Sequence, residues 1–140
     1  MMESIRTKIY GEKIQTITFI WMQGGADAKA GNGNVYLDSL NGLKKQFEKD
    51  LECKDINFIV GRLSDSGFFR RRDKKRIDNP NWDAVRKAQE AFVNSIEQAV
   101  WIDTDDLNGD KNELHLIKPG GYETLGNRYV DAALKLIDGK

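Results

Sequence analysis

The chain carries a single histidine, His115, and it follows a loop crowded with carboxylates: Asp103, Asp105, Asp106 and Asp110. An imidazole near carboxylates can be held in one tautomer and used as a general base near neutral pH. Far upstream, Trp21-Met22-Gln23-Gly24-Gly25-Ala26-Asp27 stands directly after an apolar run. Paired glycines let the backbone turn tightly and approach a ligand. A side-chain amide at a strand end can donate to a developing oxyanion. Each feature also has an ordinary reading, as a surface histidine beside a turn and as a simple Gly-Gly turn. The acidic loop partly fits calcium spacing through Thr104, Asp106, Asn108 and Gly109. Thr104 in the first place and His115 in the twelfth do not fit, because the last place needs a bidentate carboxylate. No metal is expected.

The elements that must position these residues alternate between strand and helix. Residues 14–23, 55–63 and 99–103 are β-branched and aromatic, and read as three strands. Tyr36, Leu40, Leu43, Phe47 and Leu51 recur at helical steps, as do Val85, Ala88, Phe92 and Ile96, and then Leu125, Tyr129, Ala133 and Leu136. Pro80 opens the middle helix, where a missing N–H costs little. Residues 24–34, 64–81 and 104–121 read as polar loops. This order predicts an α/β fold with a parallel sheet and right-handed crossovers. Ligands of such sheets bind beyond the carboxyl ends of the strands, where Gln23, Arg62 and Asp103 begin the loops.

Length and composition fit one ordinary globular domain: 140 residues, 39% apolar and 31% charged. Twenty-two basic residues balance 22 acidic ones, so net charge calls for neither nucleic acid nor membrane. The lone Cys53 cannot form an internal disulfide and reads as a structural thiol. No apolar run is long enough to span a bilayer. The N-terminus lacks the apolar core of a signal peptide, so the chain as written is expected to stay in the cytoplasm.

Taken together, the two chemical segments are more specific. Trp-Met-Gln-Gly-Gly-Ala-Asp-Ala at Trp21 to Ala28 resembles the Trp-x-Gln-Gly-Glu-x-Asp-Ala segment of the sialate O-acetylesterase-like branch of SGNH-fold carbohydrate esterases. Asp103-Thr104-Asp105-Asp106-Leu107, Leu114-His115-Leu116 and the run from Gly121 to Tyr129 resemble that family's C-terminal block. There an acidic residue and a histidine precede a helix with a Gly-x-x-x-Leu-Gly-x-Arg pattern. The segments around Gly61-Arg62-Leu63-Ser64 and Val85-Arg86-Lys87-Ala88-Gln89 fall in the expected order. The likeness spans about residues 15–138.

The resemblance implies a three-layer parallel sheet of SGNH-hydrolase, flavodoxin-like type, and hydrolysis of an acetylated carbohydrate or other small ester without a cofactor. In such enzymes a serine attacks the acyl carbon, a histidine moves its proton, an aspartate orients the histidine, and amide donors hold the oxyanion. Carried over, His115 is the base, Gln23 the oxyanion donor, and Gly24, Gly25, Asp27 and Arg62 the substrate-side residues. The orienting aspartate of the family lies three residues before the histidine. Asn112 stands there, and Asp110 is the carboxylate that can substitute. Gly25 replaces the family's glutamate.

The largest departure concerns the nucleophile. The family's Gly-x-Ser segment follows its first strand, and none of the 20 residues before Trp21 forms one. Ser64 and Ser66 follow the second strand but match no nucleophile position. The expectation is a single partial domain at 1–140, truncated N-terminally to about three strands. Its esterase activity would be absent or impaired. The first alternative is a non-catalytic remnant that binds a sugar or a partner. The second is weak polyanion binding through the basic loop 70–76, although specific nucleic-acid binding is not expected. The missing strands would leave residues 14–23 with an open edge, hence an expectation of self-association. Trp82, beside the basic loop, is read either as helix-entry packing or as a sugar-stacking platform.

Overall fold

The computed structural model describes residues 7–8, 10–70, 72–73, 75–109, 112, 116 and 118–139. Strands β1 (Ile17–Trp21), β2 (Ile56–Gly61) and β3 (Ala99–Ile102) form one parallel sheet in the order β1-β2-β3. Helices α1 (Gly25–Ala30) and α2 (Gly33–Leu51) connect β1 to β2. Helix α3 (Pro80–Asn94) connects β2 to β3, and α4 (Gly121–Asp138) follows β3.

β2 is buried along its whole length, as a central strand must be. Its alternation sends Ile56, Phe58 and Val60 into one core with Tyr36 and Leu40 of α2 and Val85, Ala88 and Phe92 of α3. Phe58 meets Phe92 edge-on at 5.7 Å between ring centres. Phe92→Ala would cost about 3–5 kcal/mol, from the lost burial of the ring together with the cavity it leaves. On the opposite face, Leu125 of α4 packs with Leu107 and Leu116, flanked by Ile102 and Tyr129. Burial pushes the Tyr129 hydroxyl up to about 12. The α/β class and the parallel three-strand sheet agree with the sequence.

Two local differences have physical causes. β1 pairs only from Ile17↔Ile56 to Trp21↔Val60, because β2 begins at Ile56 and offers nothing to earlier residues. The strand is therefore shorter than the apolar run at 14–23. The expected loop after it contains α1, six residues rich in alanine and closed by Gly31 in the left-handed conformation. Among the described residues β1 has β2 as its sole strand neighbour, and Ile20 on it is 47% exposed.

Candidate active site

The loop after β1 is held from several directions. Gly24 has φ 142°, and a Cβ there would stand 2.8 Å from Cγ1 of Val85, so only glycine fits. The carbonyl oxygen of Gln23 accepts from the Tyr36 hydroxyl and from Nε2 of Gln89, both at 2.8 Å. Its side-chain Oε1 also lies 2.9 Å from the Tyr36 hydroxyl, whose one proton serves one oxygen at a time. Its Nε2 donates to Oδ2 of Asp27 at 2.5 Å. The Tyr36 oxygen accepts from Nε1 of Trp21 at 3.1 Å. Burial raises the Tyr36 pKa, and hydrogen bonds with Trp21 and Gln89 offset part of that rise. Gln23 is thus fixed in rotamer and amide orientation. Its second Nε2–H has no acceptor among the described residues.

The loop after β2 is tied to α3. Leu63 donates its N–H to Oε1 of Gln89 at 2.8 Å, and its carbonyl accepts from Arg86 at 2.6 Å. Nε1 of Trp82 donates to the Ser64 carbonyl at 2.7 Å. Trp82 is only 2% exposed, so it packs and bonds inside and offers no platform to a sugar. The hydroxyls of Ser64 and Ser66 lie 2.9 Å apart and both residues are buried.

The loop after β3 meets the same helix. Asp105 accepts from Nη1 and Nη2 of Arg86 at 2.7 and 2.9 Å, from Nη2 of Arg62 at 3.1 Å and from the Asp65 N–H at 2.8 Å. Burial alone would raise the Asp105 pKa. The bonds and charge of Arg86, then the Arg62 charge and the Asp65 N–H, outweigh burial and hold it below the ordinary carboxylate value. Arg62 also donates to Glu90 at 2.7 Å and Asp103 at 2.8 Å, and its guanidinium lies 4.2 Å from the Trp101 ring centre. Both of its terminal nitrogens are therefore engaged with carboxylates. Arg62 braces the strand ends and does not line the pocket described next.

A cavity of about 460 Å³ opens at the carboxyl end of the sheet. Gln23, Gly24 and Gly25 line it on the β1 side, with Leu63 and Ser64 from the loop after β2, and Leu116 and Tyr122 as well. Its size suits a small ligand. Asp27 stands behind Gln23 and is not part of the lining. A roomier depression of about 690 Å³ runs between β3 and α4 and contains the Arg128–Asp106 pair, but none of the Gln-Gly-Gly segment. His115 and Asp110 lie outside the described residues. Leu116, the next residue after His115, shares the pocket with Gln23. The Asn112 side-chain oxygen accepts from Nδ2 of Asn108 at 2.7 Å.

Sequence reasoning named Gln23, Gly24 and Gly25, and these line one wall together. It missed Tyr36 and Gln89 as the residues that hold that wall, and Arg86 and Asp105 as the pair that ties the other two loops together. A signal for Gln89 existed: an uncharged polar residue lying four after Val85 and three before Phe92, on the apolar face of a helix.

A pocket at the carboxyl end of a parallel α/β sheet is where open α/β domains bind their ligands. A family model described as carbohydrate esterase, sialic acid-specific acetylesterase, matches residues 1–135. The chain belongs to this carbohydrate esterase family. No curated protein and no solved structure gives a significant match.

Proposed function

We infer that the pocket at the carboxyl end of the sheet is the acyl site of a carbohydrate O-acetylesterase, with an acetylated sugar or other small ester as its ligand. His115 serves as the base. Gln23 is the oxyanion donor, helped by the backbone around Gly24 and Gly25. Asp27 acts on the substrate side by holding the Gln23 amide. Asp110 orients His115, a reading supported by Asn108 already occupying the Asn112 oxygen.

The observation that carries the proposal is the shared pocket wall of Gln23, Gly24 and Leu116. A fixed amide is pre-organised for charge that develops in the transition state, so little reorganisation opposes its action. Ser64 lines the pocket too, but its hydroxyl is paired with Ser66 and buried. Without a serine activated by the base, the remaining elements give only slow hydrolysis. The chain by itself is thus a weak or silent esterase that retains ligand binding.

The test combines turnover of an acetylated nitrophenyl ester with binding of an O-acetylated sugar followed by nuclear magnetic resonance. Chemical-shift changes at Gln23 to Ala26, Ser64 and Leu116, lost in Gln23→Ala, are the expected result. Fast turnover abolished by both His115→Ala and Ser64→Ala would assign the nucleophile to Ser64. Binding that leaves these residues untouched would remove the proposal.

A further inference from the structure

We propose that Gln89 is a positioning residue of this site, using its buried amide to fix the two strand-end loops that form the pocket wall. The inference rests on the esterase reading for its functional meaning, but its geometry is independent of it. Gln89 is 0% exposed. Its Nε2 donates to the Gln23 carbonyl at 2.8 Å, and its Oε1 accepts from the Leu63 N–H at 2.8 Å. One side chain of α3 therefore ties the loop after β1 to the loop after β2, 66 and 26 residues away in sequence.

The fit is specific to a carboxamide. The Gln23 carbonyl needs a donor and the Leu63 N–H needs an acceptor, and a carboxamide supplies both at once. An apolar side chain would leave the buried Leu63 N–H without its acceptor and the Gln23 carbonyl with the Tyr36 hydroxyl alone, which is costly. The space is closed as well: a Cβ on Gly24 would lie 3.4 Å from Nε2 of Gln89 and 3.2 Å from the Tyr36 hydroxyl. Glycine at 24 and glutamine at 89 are thus complementary, the first clearing the approach that the second uses. The oxyanion donor and the second loop of the pocket keep their spacing through this amide, without the strands having to move.

Replacing Gln89 by glutamate turns the clamp into one that depends on pH. The protonated carboxyl can still donate to Gln23 and accept from Leu63. The carboxylate accepts only, and it repels the Gln23 carbonyl. Arg86 on α3 and Arg62 at the end of β2 favour ionisation, whereas burial, Glu90 on α3, Asp105 after β3 and Asp27 on α1 oppose it, and the Tyr36 hydroxyl of α2 lies alongside. Burial and the carboxylates place the transition above the usual glutamate range of roughly 4 to 5.

Amide correlation spectra of the full chain test this. In Gln89→Glu, signals of Gln23 to Ala26, Leu63 and Ser64 should match the wild type in acid and shift as pH rises, reversing on return. Signals from Ile56 and Phe92 in the core should hold still. Gln89→Met should show the shifted loop signals at every pH. Signal changes with pH that the wild type itself shows are common to the variants, and the added transition of Gln89→Glu should be absent from it. Loop signals in Gln89→Glu that ignore pH overturn the proposal. A transition that moves the whole sheet together also overturns it, because Gln89 would then be a residue of global stability. Absence of ester turnover in the wild type, with the loop transition intact, counts against the esterase reading and leaves the clamp standing.

Discussion

Asp105 receives both terminal nitrogens of Arg86, at 2.7 and 2.9 Å, in a paired contact that joins the middle helix to the loop after the last strand. Arg86 also holds the Leu63 carbonyl, so one guanidinium links two of the three loops at the pocket end. Such fork-on-fork pairing is directional as well as strong. Asp105 has a depressed pKa in the folded state. Its contribution is therefore complete above the unfolded value of about 3.9 and is lost as pH falls through the folded value below that. Asp105→Asn should lower stability at neutral pH by roughly 1.5–3 kcal/mol. The deficit should shrink below about pH 4. Denaturant melts at both pH values check this, and a deficit independent of pH would contradict it.

Gly24→Ala should destabilise the chain by about 1–3 kcal/mol, from a strained backbone and a methyl group driven against Val85. The companion change Val85→Ala opens that contact. The double variant should be more stable than the two single losses added together. Thermal melts of the four proteins measure the coupling, and strict additivity would mean that the contact is absent.

Ile20 is exposed on β1, and Val130, Leu134 and Ile137 are exposed on α4. Among the described residues the outer edge of β1 has no strand partner, and such an edge is a template for association. Sedimentation at rising concentration should show self-association, and Ile20→Lys should reduce it. A monodisperse wild type at high concentration would set this expectation aside.

The basic segment folds back on itself, with Phe69 bridged to Arg76 and Arg76 lying over Phe68 and Phe69 at 5.3 and 5.8 Å. Arg70 is paired with Asp73. Arg71 and Lys74 lie outside the described residues. With one cation neutralised and another engaged with rings, polyanion binding should be weak and free of sequence preference. Labelled single-stranded DNA should dissociate before physiological salt is reached. Tight, selective binding that survives such salt would give this segment a role of its own.

The sheet was legible because its strands are apolar runs separated by clear helical periods. Phe58 and Phe92 lie in the core where their patterns put them. The Gln23 wall was legible through motif likeness and not through periodicity. What the sequence hid were bonds to backbone atoms. The partners of Gln89 are a carbonyl and an N–H, which leave no trace in residue types. Arg62 was hidden in another way: a cation at a strand end looks available to substrate until Glu90, Asp103 and Asp105 are found around it. α1 was concealed by its flanking glycines, which read as loop although the alanines between them favour helix.

The guanidinium of Arg62 resting on the Trp101 ring gives the molecule an optical reporter. Indole emission responds to a cation held against its face and to the water that replaces it. Of the three tryptophans, Trp82 is sealed in the core and Trp21 is tied to Tyr36, so Trp101 is the one whose light follows the ion network. Acid strong enough to protonate Asp105, whose pKa is held below the ordinary carboxylate value, would loosen its contacts with Arg62 and Arg86 and change the emission. The loosening of the loops around the pocket can then be followed in real time without attaching a dye.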